Sequence, residues 1–191
     1  MNPVLTLYAE TPIRLTLLER RHAPILYRLV ETNRTHLQPW LTWVNHMHSL
    51  ADMESYILRS LSGYACQREA HFGVWWGQWL AGSVTVERID PVNRVAEIGY
   101  WLDQRFTGRG VMSRSVSRLV DYLFDERHIN RVEIRTVPAN RASRAVARRL
   151  GLHYEGTLRQ AGYSNGVFVD HELYGLLRSD WKLITGSHPP V

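Results

Sequence analysis

The hydrophobic patterning of this 191-residue chain predicts an α/β domain built on one mixed sheet with helices on both faces. Three observations carry the prediction. The patterned segments run in the order βααβββαβαββ, with strands outnumbering helices. Tight turns join strands into hairpins in the middle of the chain and again at its end. A glycine-bearing loop and an amphipathic helix sit between two strands, as a crossover does.

The elements follow in order. Ile13, Leu15 and Leu17 alternate with polar residues and give a first strand. Pro24–Asn33 has helical spacing, with Ile25, Leu26, Leu29 and Val30 on one face. Thr35–His48 is dense in aromatics and histidines and lacks a clean period. Ser49-x-x-Asp52 starts a second helix, striped by Met53, Tyr56, Ile57 and Leu61. His71–Trp76 and Trp79–Ile89 flank Gly77-Gln78 as a hairpin, and Asp90–Asn93 turns the chain into Val95–Leu102. The helix over 108–127 carries Val116, Leu119, Val120, Leu123 and Phe124. Arg131–Val137 is a strand, and a short helix runs from Asn140 to about Leu150, closed by Gly151. His153–Ala161 and Phe168–Leu177 form a final hairpin around Asn165-Gly166, and Gly186–Val191 is expected to fray. No repeat, low-complexity tract or linker divides the chain, so residues 1–191 read as one domain with its core over about 11–178.

Composition narrows the functional classes. The net charge is +5 and the pI about 9.7, and the positive charge is carried by arginine, since Lys182 is the only lysine. That balance suits an acidic protein, a polyphosphate or a nucleic acid without choosing among them. Cys66 stands alone, which excludes an intrachain disulfide; a buried, inert thiol is expected. No apolar run reaches membrane-spanning length and no signal-peptide pattern opens the chain, so a soluble, cytoplasmic protein is expected. His46-x-His48 has no third ligand at suitable spacing, so no metal is expected.

The loop before the 108–127 helix holds the most chemistry. Gly108 and Gly110 let the backbone approach a ligand, the helix start offers N–H groups to an anion, and Arg109 and Arg114 add charge. The pattern is neither GxxxxGK[ST] nor GxGxxG. A phosphorylated cofactor on Gly108, Arg109, Gly110, Val111, Met112 and Ser113 is the functional reading; a tight strand-to-helix turn is the alternative.

Several stretches carry a family resemblance: Asn33-x-x-x-Leu37 with Trp40-Leu41 and Trp43, Ala96–Leu102, Gly108-Arg-Gly110, Asn140-x-x-Ser143, Arg149-Leu-Gly151, Glu155-Gly156-x-x-Arg159, and Asn165-Gly166-x-x-x-Asp170 with Tyr174. In this order they resemble the GNAT superfamily of acetyl-CoA-dependent N-acetyltransferases, and within it the RimL/RimJ group that acetylates ribosomal-protein N-termini. The resemblance implies the GNAT fold, with a single mixed, mostly antiparallel sheet. It implies acetyl-CoA, with the pyrophosphate on residues 108–113 in either of two registers, Arg105-x-x-Gly108-x-Gly110 or Thr107-x-x-Gly110-x-Met112. It places the pantetheine arm against the backbone of Tyr100, Trp101 and Leu102, and Asn140 beside the cofactor.

The reaction needs a deprotonated amine, a polarised carbonyl and a proton for the departing thiolate. Many GNAT enzymes supply that proton from a tyrosine seven residues beyond the helix-opening Asn, where this chain has Ala147. Ser143 is the expected replacement. Glu97, on one strand face with Gly99 and Trp101, is the expected base, with an ion pair to Arg94 or Arg135 as the competing role. The acidic residue that some RimL-like chains carry after Arg159 is Gly162 here. Trp40 and Trp43 are expected to wall the acceptor cleft. The expected acceptor is the α-amino group of a protein N-terminus, ribosomal proteins included. The alternatives are a small amine (antibiotic, polyamine or aminoacyl nucleotide) and a catalytically idle acyl-CoA-binding module. A homodimer is allowed; no membrane or direct nucleic-acid partner is expected.

Overall fold

The computed structural model describes residues 4–185, so the expectation for Gly186–Val191 lies outside the described residues. Eight strands form one sheet: β1 (Thr6–Tyr8), β2 (Ile13–Leu17), β3 (Ala70–Trp76), β4 (Trp79–Asp90), β5 (Val95–Leu102), β6 (Arg131–Thr136), β7 (His153–Ser164) and β8 (Val167–Leu177). Their spatial order is β1-β2-β3-β4-β5-β6-β8-β7, and only the β5/β6 pair is parallel. The α-helices among the described residues are α1 (Ala23–Thr32), α2 (Arg34–Leu37), α3 (Leu50–Ala65), α4 (Val111–Asp121), α5 (Arg141–Arg149) and α6 (Arg178–Thr185).

Each sheet face buries its own helices. The apolar stripe of α4 (Val116, Leu119, Val120) and the following π-helical turn with Leu123 and Phe124 pack on Phe72, Val84, Ile98 and Ile134. The opposite face carries α1 and α3, whose Leu26, Val30, Met53 and Ile57 meet Leu80 and Trp101. Truncating a fully buried leucine such as Leu119 to alanine removes about 2–5 kcal/mol. Ser49 caps α3 as its sequence announces, exchanging hydrogen bonds with Asp52 in a reciprocal box.

Three elements were not foreseen: β1, α2 and α6. Ile25, expected on the buried face of α1, is 40% exposed, because that helix buries Ala23, Leu26, Leu29 and Val30 instead. Cys66 is exposed rather than buried: it is the C-cap of α3, where the chain leaves the helix face that packs.

Two irregularities position the site. β5 and β6 pair only from Val95↔Arg131 to Glu97↔Glu133. Beyond that point β5 stays paired to β4 as far as Leu102, and β6 to β8 as far as Thr136, so the two strands diverge and open a wedge. In the terminal hairpin the register shifts between Leu158↔His171 and Gly162↔Val169. Gln160 takes a left-handed φ of 51° in that bulge, and its N–H donates to the Asp170 carboxylate at 2.8 Å. Asp170 therefore pins the bulge.

Candidate active site

The wedge between β5 and β6 leads into a cavity of about 690 Å³, within the ordinary range for small-molecule sites, about 300–1,000 Å³. Most of its wall comes from four places. Ile98–Leu102 come from β5 and Ile134–Val137 from β6 and its continuation; Gly108, Gly110, Val111, Met112 and Ser113 come from the start of α4; Asn140, Ser143, Val146 and Arg149 come from α5.

The start of α4 fits an anionic cofactor. Gly110 occupies the N-cap position with φ 72°, a conformation side chains oppose, and Gly108 has φ 74°. The first-turn N–H groups of the 11-residue helix have no intrahelical acceptor, and the helix dipole favours negative charge at this end. Arg149 reaches across from α5, its Nη1 donating to Ser113 Oγ at 2.7 Å, and so places a guanidinium on the same wall. Arg114 is tied back to the Arg109 carbonyl at 2.8 Å and to Glu10 at 3.3 Å. Arg109 itself is exposed and lies off the cavity wall. The donors present thus match a pyrophosphate, with Arg149 in a position that sequence reasoning had assigned to Arg109.

The start of α5 supplies the hydroxyl. The Asn140 side-chain oxygen accepts from the Ser143 N–H at 3.1 Å and caps the helix. Ser143 then meets Tyr100 from β5. The Tyr100 hydroxyl donates to the Ser143 carbonyl at 3.0 Å and lies 3.2 Å from Ser143 Oγ. Burial pushes the Tyr100 phenol up to about 12, the contact with Ser143 pulling the other way, so Tyr100 remains a proton donor at neutral pH. The sequence pointed to Tyr100 only through its backbone; its hydroxyl is the unforeseen feature. Ala147, where the resemblance would put a tyrosine, is fully buried.

The expected acceptor-side residues divide. Trp40, 40% exposed, lies on the cavity wall with His36, Leu37 and Leu41. Trp43 does not: it stacks on Tyr56 at 5.4 Å and tilts against Trp101 at 6.2 Å, inside the α1/α3 core. Trp101 is likewise core, 8% exposed, though it borders the cavity. Asn33 ties this side to the cofactor loop, because its side-chain oxygen accepts from the Gln104 N–H at 3.1 Å while its amide donates to Leu29. Glu97 is not on the wall. It sits on the sheet between Arg88 and Arg135, each 3.6 Å away. That is the competing ion-pair role, with Arg88 in place of Arg94. His46 and His48 are exposed, and among the described residues no three His, Cys, Asp or Glu side chains gather into a metal-binding group.

Sequence reasoning quoted Arg149 only within a family motif and gave no site role to it, to His36 or to His171, all on the wall. The signal for Arg149 was available: residues 143, 146 and 149 recur at i, i+3, i+6 and share one helix face.

Comparison with known proteins agrees with this geometry. The family model described as "Acetyltransferase (GNAT) domain" matches residues 13–153. A putative ribosomal N-acetyltransferase, YdaF, of Bacillus subtilis is 33% identical over 171 residues, covering 89% of this chain and 93% of that one. The ribosomal-protein-serine acetyltransferase of Escherichia coli is 31% identical over 173 residues, covering 88% and 94%. The solved structure of RimL, a ribosomal L7/L12 alpha-N-protein acetyltransferase in complex with coenzyme A, superposes with a TM-score of 0.88 at 30% identity, covering 91% of this chain and 98% of that one.

Proposed function

The chain belongs to the GNAT acetyltransferases and is an acetyl-CoA-dependent N-acetyltransferase; from that premise we propose that it acetylates the α-amino group of a protein N-terminus, ribosomal proteins being the favoured acceptors. The observation that carries the proposal is the single cavity running from the N-terminus of α4 to the Trp40–Leu41 wall. One end suits a pyrophosphate and the other is a partly apolar, open wall that suits an extended peptide end.

Bound acetyl-CoA supplies the activated acetyl group. The N–H groups from Gly108 to Ser113, with Arg149 beside them, hold its phosphates. The backbone of Tyr100, Trp101 and Leu102, left unpaired toward β6, aligns its pantetheine arm. Ser143, at the dipole-favoured start of α5, gives a proton to the leaving sulfur, and Tyr100 orients that hydroxyl. Asn140 holds the helix start in place. An α-amino group, with a pKa of about 7.7–8.0 against about 10.4 for lysine, is already partly neutral at pH 7 and needs only a modest base. The net charge of +5 favours encounter with acidic partners, an effect that salt weakens.

The test compares matched peptides, one with a free small N-terminal residue and acidic flanks, the other N-terminally blocked but carrying lysine, at low and high salt. The free N-terminus should be acetylated faster, by a margin that narrows with salt. Equal rates, or faster acetylation of a small polyamine, would replace the protein acceptor with a small amine.

A further inference from the structure

The acetyl transfer needs a group to take the proton that leaves the acceptor nitrogen. Among the described residues no aspartate or glutamate lies on the cavity wall. Arg135 and Arg149 on that wall are permanent cations, and Tyr100 is held protonated. The proton acceptors that remain there are two imidazoles, His36 and His171.

His171 sits on β8, opposite Leu158 and one pair from the Glu172↔Thr136 contact at the end of β6. It therefore stands beside the wedge on a rigid strand. No hydrogen bond or ion pair engages its ring among the described residues, although it is half-buried. The ring lies over Gly162. A Cβ added at Gly162 would come within 2.5 Å of His171 Nε2, 2.8 Å of its Cε1 and 3.2 Å of Val169 Cγ2. Gly162 has no left-handed φ. Space, not backbone conformation, is what excludes a side chain there. The bulge pinned by Asp170 sets this register. His36, by contrast, stands on the single-turn α2 rather than on a sheet strand.

We propose that His171 is the general base of this enzyme, its imidazole using the space that Gly162 leaves open to face the acceptor amine. The proposal rests on the acetyltransferase reading above. His171 takes the proton that the acceptor nitrogen sheds as its lone pair forms the new N–C bond. Ser143 gives a proton to sulfur as the C–S bond breaks with its electron pair. One proton is taken and one given, so the protein's charge count closes once the two residues exchange protons with solvent.

The experiment follows acetyl-CoA turnover with the free-N-terminus peptide in wild type, His171→Ala, His171→Gln and the double variant His171→Ala/Gly162→Glu, with coenzyme A binding measured by calorimetry as the check on folding. His171→Ala and His171→Gln should each lower kcat by about ten- to a thousandfold, with coenzyme A affinity and the KM for acetyl-CoA within about twofold. Added imidazole should restore part of the alanine variant's rate. The double variant, which returns a proton acceptor to the vacated space, should recover at least tenfold over His171→Ala. A wild type that turns over while His171→Ala keeps its kcat would overturn the assignment. So would a loss on His171→Ala that neither imidazole nor Gly162→Glu relieves. A wild type that turns over no amine at all would instead overturn the acetyltransferase reading beneath it.

Discussion

Replacing Tyr100 with phenylalanine tests the chemistry at Ser143 from its neighbour. The change removes one hydroxyl and little else. That hydroxyl donates to the Ser143 carbonyl at 3.0 Å and touches Ser143 Oγ at 3.2 Å. One such hydrogen bond contributes about 0.5–1.5 kcal/mol to stability. The Ser143 carbonyl lies in the first turn of α5 and keeps its helical partner, so no orphaned acceptor is added to the cost. For a chain of this size the melting temperature should drop by about 1–6 °C. The effect on rate should be separate from that small loss. Without Tyr100 the Ser143 hydroxyl is free to rotate away from the sulfur, and a tenfold fall in kcat, about 1.4 kcal/mol on the barrier, is expected. Ser143→Ala alone should cost about ten- to a thousandfold. Because Tyr100 acts through Ser143, adding Tyr100→Phe to Ser143→Ala should cost nothing further. The assay is steady-state thiol release, with coenzyme A binding measured alongside. Additive losses in the double variant, to within about 0.5 kcal/mol, would show that Tyr100 works independently. A wild-type kcat in Ser143→Ala, with chemistry rate-limiting, would return that serine to a role in the helix start.

Two further outcomes follow from the same structure. Gly110→Asp places a β-carbon at φ 72° and a negative charge at the N-terminus of α4, so coenzyme A affinity measured by calorimetry should fall at least tenfold; unchanged affinity would remove residues 108–113 from the phosphate site. His71 is buried between Tyr56 and Glu69, and burial holds its pKa below the ordinary value, with Glu69 opposing. Its contribution to stability is therefore complete above about pH 6.5 and is lost as pH falls through the depressed value, so thermal melts should weaken on acidification, and His71→Phe should flatten that slope.

Most of the fold was legible from local signals. The Ser49–Asp52 box, the Gly77-Gln78 turn and the Val116–Phe124 stripe each lie within a few residues and each match the structure. β1 was missed because three residues are too few to show alternation, and α2 because it makes a single turn. The cofactor loop was legible from its glycines, whereas its guanidinium was not, since Arg149 meets Ser113 across 36 residues. The Tyr100–Ser143 pair spans 43 residues and depends on the β5/β6 wedge, which no local pattern encodes. Gly162 and His171 were closer to view. Counting outward from the Ser164↔Val167 pair puts Gly162 opposite Val169, with His171 one diagonal step away; only the two-residue shift at the bulge lay beyond the sequence.

The parallel seam has a mechanical consequence. Strands β1–β5 pair antiparallel in chain order, β6, β8 and β7 pair antiparallel as a second block, and the two blocks meet through only three residue pairs, from Val95↔Arg131 to Glu97↔Glu133. The sheet is thus two stiff plates joined at one edge by a short rivet line, with α4 and α5 bridging above it. Stress or thermal fluctuation should part the plates along that line before it frays either one, and amide exchange should be faster at 98–102 and 134–137 than at the same depth in β4 or β8. A ligand lying in the seam would clamp both plates at once. Its binding energy would then appear as rigidity far from the cavity, in strands it never touches.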